Sequence, residues 1–122
     1  MSDSTFIPKA YLLVDCPFSF KFLLFMTESG LLDQVELVFL NKEDKDFKNQ
    51  EQAFEKLSGK NALYPTIEIE PGIYQDESDT LIQYFADKNN IDAEPPVLQI
   101  YKTGVLKRLM ALQEENNQLK KA

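Results

Sequence analysis

The amino-acid sequence predicts an α/β fold in which helices pack against a mixed sheet of four strands. Residues 10–14 (Ala-Tyr-Leu-Leu-Val) form a nearly continuous apolar run, which is typical of a strand buried on both faces of a parallel sheet. Residues 35–40 (Val-Glu-Leu-Val-Phe-Leu) form a second such run after a stretch with helical periodicity, so the first half is predicted to be a βαβ unit with parallel strands. Pro71 and Gly72, between two short strand-like runs, predict an antiparallel hairpin in the second half.

Apolar residues at helical spacing predict three helices that cover this sheet. The first helix ends at Gly30 and carries the apolar residues Phe18, Phe20, Phe22, Leu23, Leu24 and Phe25. The second ends at Ser58 and Gly59 and carries Phe47, Ala53, Phe54 and Leu57. The third is predicted to bury Leu81, Ile82 and Phe85. The charged run 41–46 is predicted to be a solvated loop and helix start, because it lacks the alternating oxygen ligands and turn glycine of a hard-cation loop.

A proline loop leads into the second half of the sheet. Pro65 cannot join a strand ladder and therefore marks the entrance of the strand 66–70, which alternates as a half-buried strand should. The hairpin partner is predicted at 73–75, and the acidic and hydroxyl side chains of 75–79 are typical of a helix start. The predicted order is β-α-β-α-β-β-α, followed by a C-terminal helical extension.

The single cysteine lies where the first strand meets the first helix. Pro17 suits the first turn of a helix, so Cys16 is predicted to cap it. Unpaired backbone N–H groups and the helix dipole favour an anion at that position, which would stabilise a thiolate. Ser19, one turn later, is predicted to donate a hydrogen bond to the sulfur. The alternative is that Cys16 is a small buried apolar residue.

Composition limits the classes of function. A chain of 122 residues with 43% hydrophobic content supports one compact domain, predicted at 9–92 between a flexible start (1–8) and a linker with a C-terminal helix (93–122). A net charge of -7 argues against a nucleic-acid or anionic-membrane surface. One cysteine and no signal-like apolar stretch indicate a reducing cytoplasm. The absence of histidine removes the usual general base and most zinc sites, so no metal is expected.

Three motifs in this order resemble those of glutaredoxins and of the N-terminal domain of glutathione S-transferases. They are Cys-Pro-Phe-Ser at 16–19, Tyr-Pro-Thr at 64–66 preceded by Gly-Lys at 59–60, and Glu-Ser-Asp at 77–79. The likeness covers residues 9–90 and implies a thioredoxin-like fold with glutathione as cosubstrate. It further implies that Cys16 forms a mixed disulfide with glutathione, with Ser19 beside it in the catalytic motif.

The resemblance also implies how glutathione would be held. Pro65 would be a cis-proline close to Cys16, and the main chain of Tyr64 would pair with the tripeptide backbone. Glu77 and Ser78 would hold the γ-glutamyl end, and Lys60 belongs to the same implied binding set. A helix N-terminus binds anions and a carboxylate holds an ammonium, which agrees with these roles. The alternative for Glu77 and Ser78 is helix capping.

Two departures from the family pattern shape the expected function. Ser19 replaces the second cysteine of a dithiol glutaredoxin, which leaves a monothiol oxidoreductase that uses glutathione as the resolving thiol and acts on glutathionylated or disulfide substrates. Only residues 97–122 follow Pro96, whereas transferases carry a large helical second domain. The alternatives are a reduced transferase and a non-catalytic module that binds glutathione or a protein. Iron–sulfur monothiol glutaredoxins have a different, glycine-containing cysteine motif.

The C-terminal segment 97–122 reads as a helix. Its apolar positions are Leu106, Leu109, Met110, Leu112 and Leu119. With Asn116 and Asn117 between them, these positions fall short of a sustained heptad repeat, so packing on the helix's own domain is favoured. Pairing with a second copy in a homodimer is the alternative.

Overall fold

The computed structural model describes residues 6–121. Four strands, β1 to β4, span Lys9–Leu13, Glu36–Leu40, Thr66–Glu70 and Ile73–Asp76. Helices α1 to α5 span Pro17–Glu28, Phe47–Ser58, Ser78–Asn89, Pro96–Ile100 and Lys107–Lys121. A 3-10 turn covers Leu32–Gln34, and a π-helical segment, Tyr101–Leu106, joins α4 to α5.

The four strands form one mixed sheet in the order β2-β1-β3-β4. β1 pairs with β2 in parallel, whereas the β1–β3 and β3–β4 pairs are antiparallel. Ala10 lies between Leu37 on one neighbour and Ile67 on the other, so β1 is an inner strand. The predicted fold class, element order and mixed sheet are confirmed, and the C-terminal helical extension is present.

Alternate residues of β1 belong to two apolar clusters on opposite faces of the sheet, because successive side chains of a strand point to opposite faces. Ala10 and Leu12 belong to the larger cluster, which also includes Phe22, Phe25, Met26, Leu81, Phe85 and Leu98 from helices α1, α3 and α4. Tyr11 and Leu13 belong to the smaller cluster with Leu40 and Phe54. Phe54 of α2 stacks on Tyr11 with ring centroids 4.3 Å apart. The strand is therefore buried on both faces, as its composition predicts.

Strand β1 begins and ends one residue earlier than predicted. Val14 is 56% exposed and follows the last strand pair, Leu13 with Leu40. Residues 1–5 of the expected flexible start lie outside the described residues. The remainder of that start is attached to the sheet, because the buried Pro8 accepts a hydrogen bond from the Glu36 N–H at 2.8 Å.

Two helices bury fewer apolar residues than predicted. Phe20 is 50% exposed, because it lies almost opposite Phe22 on α1 and therefore outside the buried face of the helix. On α2 only Phe54 is fully buried, whereas Ala53 and Leu57 are exposed. Phe54, with the half-buried Phe47, makes the contact with the smaller cluster, so the wider apolar stripe predicted for this helix is wrong.

The C-terminal extension is hydrogen-bonded to the end of α1. The carboxylate of Glu28 accepts hydrogen bonds from the N–H groups of Val97 and Leu98 at 2.7 and 2.8 Å, which caps the start of α4. Leu98, Tyr101 and Leu106 are buried. Beyond these residues α5 leaves the domain surface.

The expected packing of the C-terminal stripe on its own domain is wrong for its second half. Met110, Leu112 and Leu119 are 43%, 46% and 75% exposed. The domain surface is covered by the segment that ends at Leu106, so the later turns of the helix find no apolar surface to cover. Leu109 is only half-buried.

Candidate functional site

Cys16 occupies the N-cap position of α1, as predicted, but its side chain does not cap the helix. The backbone turns sharply there, because the Cys16 N–H donates to the Leu13 carbonyl at 3.1 Å and its own carbonyl accepts from Phe20 at 3.0 Å. The half-buried thiol lies 3.8 Å from the carbonyl oxygen of Tyr64 and donates toward it. The sulfur is therefore turned toward the proline loop, at the open end of the helix.

Ser19 does not form the predicted hydrogen bond with the sulfur in the described part of the chain. Its side chain is buried, and its hydroxyl oxygen accepts a hydrogen bond from the Leu13 N–H at 3.1 Å. That N–H belongs to the last residue of β1, so the bond ties the strand end to the first turn of α1. Ser19 shapes the junction that presents Cys16 rather than touching its thiol.

The proline loop lies against Cys16. The Tyr64–Pro65 peptide is cis, as expected, and Pro65 is buried. The phenol of Tyr64 donates to Glu51 at 2.8 Å, and burial, reinforced by this carboxylate, raises the pKa of the phenol well above its usual value. The loop is thus fixed to α2, while the Tyr64 N–H has no acceptor among the described residues.

The start of α3 lies close to this loop and carries an unusual backbone. Glu77 precedes the helix with φ +72° and ψ +115°, a conformation that costs a residue with a Cβ about 1–3 kcal/mol. Its side chain makes no capping hydrogen bond to the helix. Ser78 is the first helical residue and is 6% exposed, with no side-chain hydrogen bond to a described residue. Capping, the alternative reading of this pair, therefore has no support from the geometry.

A buried ammonium connects α1 with α3. Lys21 is 4% exposed, and its Nζ donates to the Asp79 carboxylate at 2.7 Å. The same ammonium lies 5.6 Å from the centroid of the Phe18 ring. The hydrogen bond from Lys21 is the main cause that holds the pKa of Asp79 below its ordinary value. The pair places one positive and one negative charge side by side.

These elements enclose a groove of about 470 Å³. Its lining residues come from α1, the proline loop, the end of β4 and the start of α3; they are Phe18, Lys21, Leu63, Tyr64, Asp76, Glu77, Ser78 and Asp79. The N–H groups at the start of α3, the Ser78 hydroxyl and the Lys21 ammonium can bind a carboxylate. The carboxylates of Asp76, Glu77 and Asp79 can bind an ammonium. The groove therefore suits a zwitterionic amino-acid group.

Three of the seven predicted site residues line the groove and a fourth adjoins it, whereas Ser19 and Pro65 are buried and do not line it. Tyr64, Glu77 and Ser78 line the groove, and Cys16 meets it through the Tyr64 carbonyl. Lys60 does not line the groove; it borders a different surface depression beside α2, and its ammonium reaches the Tyr74 carbonyl at 3.4 Å. It is therefore not among the residues that the fold brings together around Cys16.

Tyr101 approaches Cys16 from the C-terminal extension. Its hydroxyl donates to the Pro17 carbonyl at 2.7 Å, and its ring packs edge-on against Phe20 with centroids 5.2 Å apart. Burial is the main cause that raises the pKa of Tyr101, and the negative charge of a Cys16 thiolate raises it further. The extension thus places a phenol near the thiol.

Lys21, Asp79 and Tyr101 are the site residues that the sequence analysis missed or left without a role. The sequence could have identified Lys21, because it is the single charged residue between Pro17 and Met26, a stretch that is otherwise apolar except for Ser19. A charge within an apolar stripe needs a partner. Nothing in the sequence pattern connects Tyr101 with a helix that begins 84 residues earlier.

Residues 6–121 contain neither a metal-type cluster of side chains nor a helix that could cross a membrane. No cluster of three or more histidine, cysteine, aspartate or glutamate side chains there has a geometry that suits a metal ion. None of the helices in that range combines the length and the apolar character needed to cross a bilayer.

Comparison with known proteins identifies the fold. No family model matches the chain, and no curated protein matches it. Among solved structures, it is similar to a diazinon-metabolizing glutathione S-transferase of the silkworm, Bombyx mori, with a TM-score of 0.50 and 21% sequence identity. The alignment covers 68% of this chain and 38% of the transferase, so the chain spans well under half the length of that protein. At this identity the likeness supports the thioredoxin-like fold and leaves the activity open.

Proposed function

We propose that the groove binds glutathione and that Cys16 exchanges disulfides with it, in the manner of a monothiol glutaredoxin. The observation that carries this proposal is the position of the Cys16 sulfur, 3.8 Å from the Tyr64 carbonyl at the edge of the groove that also holds Ser78. A thiol at a helix start lies beside a site with separate anion-binding and cation-binding groups. That combination matches glutathione, a peptide that carries a thiol and, at its γ-glutamyl end, a free amino group and carboxylate.

The γ-glutamyl end of glutathione fits the start of α3. Its carboxylate would accept hydrogen bonds from the Ser78 hydroxyl and the first N–H groups of the helix, with Lys21 as the neighbouring cation. Its ammonium would be bound by the Glu77 and Asp79 carboxylates. The N–H of Tyr64, which has no acceptor among residues 6–121, would bind the peptide carbonyl, as in an added strand. This arrangement directs the glutathione sulfur toward Cys16.

The proposed reaction has two balanced steps. The Cys16 thiolate attacks the glutathione sulfur of a mixed disulfide, forming a Cys16–glutathione disulfide and expelling the substrate thiolate, which takes up a proton. A second glutathione, as thiolate, attacks the glutathione sulfur of that intermediate and regenerates the Cys16 thiolate. One substrate disulfide is reduced and two glutathione molecules leave as their disulfide. Ser19 cannot resolve the intermediate, because it has no thiol and its hydroxyl is buried.

We assign residues 9–92 to the glutathione-binding unit and 93–122 to a linker and helix. The Tyr64 carbonyl beside the Cys16 thiol and the Ser78 side chain in the lining of the groove support a binding role for the first unit. A reduced transferase would use the same groove but would activate glutathione for attack on an electrophile. A non-catalytic module would bind glutathione without changing it.

Reaction with oxidised glutathione tests the proposal. The intact mass of the protein is expected to rise by one glutathionyl group, and Cys16→Ser is expected to abolish this increase. With reduced glutathione and a glutathionylated peptide, catalytic release of the peptide thiol is expected. Binding measured by calorimetry without either reaction would instead identify a non-catalytic module. No binding at millimolar glutathione would refute the proposed ligand.

A further inference from the structure

Helix α5 projects from the domain with an apolar face that nothing in the described chain covers. Every residue from 110 to 120 is exposed. The helix has 15 residues and is therefore about 22 Å long. A solitary helix of this length is marginally stable in water, because its propensity alone barely offsets the cost of ordering it. Leu112 and Leu119 give it apolar side chains that a partner helix would cover.

Its sequence fits a heptad register that spans the polar gap. With Leu109 at position a, Leu112 falls at d, Asn116 at the next a and Leu119 at the next d. Asn116 and Asn117 both interrupt the apolar stripe in sequence, but only Asn116 lies on the seam, the line of a and d positions where two paired helices meet. A single asparagine at an a position is a common feature of two-stranded coiled coils, where it fixes register at some cost in stability.

We propose that α5 pairs with α5 of a second copy of this chain in a parallel two-stranded coiled coil. In a parallel pair in register, Asn116 faces Asn116 of the second copy, and each amide can donate to the other. In an antiparallel pair, positions a and d oppose one another, so Asn116 would face Leu112 and its amide would be buried without a partner. The asparagine therefore selects the parallel arrangement.

The charged residues that flank the seam also indicate that the partner is a second copy of this chain. In this register Glu115 lies at g and Lys120 at the following e. These are the positions that meet across a parallel pair, so Glu115 would face Lys120 of the second copy. Arg108 at g would likewise face the amide of Gln113 at e. The helix is thus complementary to itself, which is what a symmetric interface between two copies requires.

Adjacent identical residues supply matched controls. Glu114 and Glu115 differ by about 100° around the helix, and only Glu115 flanks the seam. Glu115→Lys is expected to weaken self-association about tenfold or more at low salt, because it opposes Lys120, whereas Glu114→Lys makes the same charge change at an outward position. Asn116→Leu is expected to strengthen association, and Asn117→Leu to leave it unchanged.

Sedimentation velocity of the whole protein from micromolar to millimolar concentration tests the proposal, with circular dichroism to confirm that each variant folds. A reversible monomer–dimer equilibrium is expected. Glu115→Lys should weaken it while Glu114→Lys does not, and Asn116→Leu should strengthen it while Asn117→Leu does not. A monomer at every concentration, or equal effects of Glu114→Lys and Glu115→Lys, would overturn it.

The parallel orientation of the two α5 helices can be tested separately. In a Cys16→Ser background, Leu119→Cys is expected to form an intermolecular disulfide on oxidation, because position d faces itself in a parallel pair. Failure of a dimeric Leu119→Cys variant to cross-link would overturn the parallel arrangement.

Discussion

The pair of Lys21 and Asp79 can be tested by removing each charge separately. The lysine side chain is 6% exposed and the aspartate side chain 77%, so the ammonium is the buried partner. Asp79→Ala would leave that ammonium without its 2.7 Å acceptor. An unsatisfied buried polar group costs about 1–3 kcal/mol, and solvent around the exposed carboxylate moves the expected value toward the lower end. At roughly 3–5 °C per kcal/mol for a chain of this size, Tm should fall by about 3–10 °C.

Lys21→Met removes the charge and keeps an unbranched side chain. The aspartate would return to water, so only the pair and the contact with the Phe18 ring are lost, each worth about 1 kcal/mol or less. Asp79→Ala should therefore destabilise more than Lys21→Met, and the double variant should resemble Lys21→Met. Thermal unfolding at pH 7 measures this order, with Asp87→Ala on the exposed side of the same helix as the control. Equal losses for the two single variants would refute the dependence of the ammonium on Asp79.

The same pair predicts a pH dependence. The pKa of Asp79 is lower in the folded protein than in the unfolded chain, chiefly because of the Lys21 hydrogen bond. Its stabilising contribution is therefore complete above the unfolded value of about 3.9 and is lost as the pH falls through the lower folded value. The stability difference between the parent protein and Asp79→Ala should be constant from pH 7 to about pH 5 and disappear in stronger acid. A difference that grows on acidification would contradict this sign.

Three further substitutions separate binding from folding. Ser78→Ala should weaken glutathione binding by about 1–3 kcal/mol in calorimetry without lowering Tm, whereas Thr27→Ala, which removes an exposed hydroxyl at the far end of α1, should leave binding unchanged. Tyr101→Phe should lower the unfolding free energy by about 0.5–1.5 kcal/mol in urea denaturation, because it deletes the bond to the Pro17 carbonyl, and Tyr84→Phe, whose hydroxyl has no described partner, serves as its control. Glu77→Gly should raise stability by about 1 kcal/mol by relieving the backbone at φ +72°; an unchanged or lower Tm would show that the conformation carries no strain.

Local chemistry predicted the positions of the elements better than it predicted which faces they bury. The apolar run of β1, the turn at Pro71 and Gly72 and the helix start at Ser78 depend on neighbours in sequence, and the structure places each within one residue or so of its predicted bounds. Leu57 and Phe20 have the same periodicity as buried residues, yet they are 62% and 50% exposed. Periodicity defines a stripe, but only the packed neighbours decide how wide a stripe is covered.

In the candidate site, too, the sequence predicted features that depend on local motifs and missed those that depend on tertiary contacts. Motifs placed Cys16, Tyr64 and Ser78 near one another, because each stands at a strand or helix end that the fold brings to the same edge of the sheet. The sequence could not reveal that the Ser19 hydroxyl is occupied by the Leu13 N–H, since that bond depends on the turn between β1 and α1. Nor could it reveal Tyr101, whose approach depends on how α4 is capped by Glu28.

Two local irregularities in the described chain converge on one groove. Lys21 is a charge within a buried helix face, and Glu77 is a residue with a Cβ at φ +72° that does not end a helix. The Glu77 backbone opposes stability, and the buried Lys21 ammonium needs its own acceptor, although a single substitution would remove either feature. Irregularities of purely structural origin have no reason to share a location, whereas both of these line the groove that Cys16 adjoins. Their common position favours a ligand whose binding requires a buried ammonium and a reoriented peptide at the start of α3.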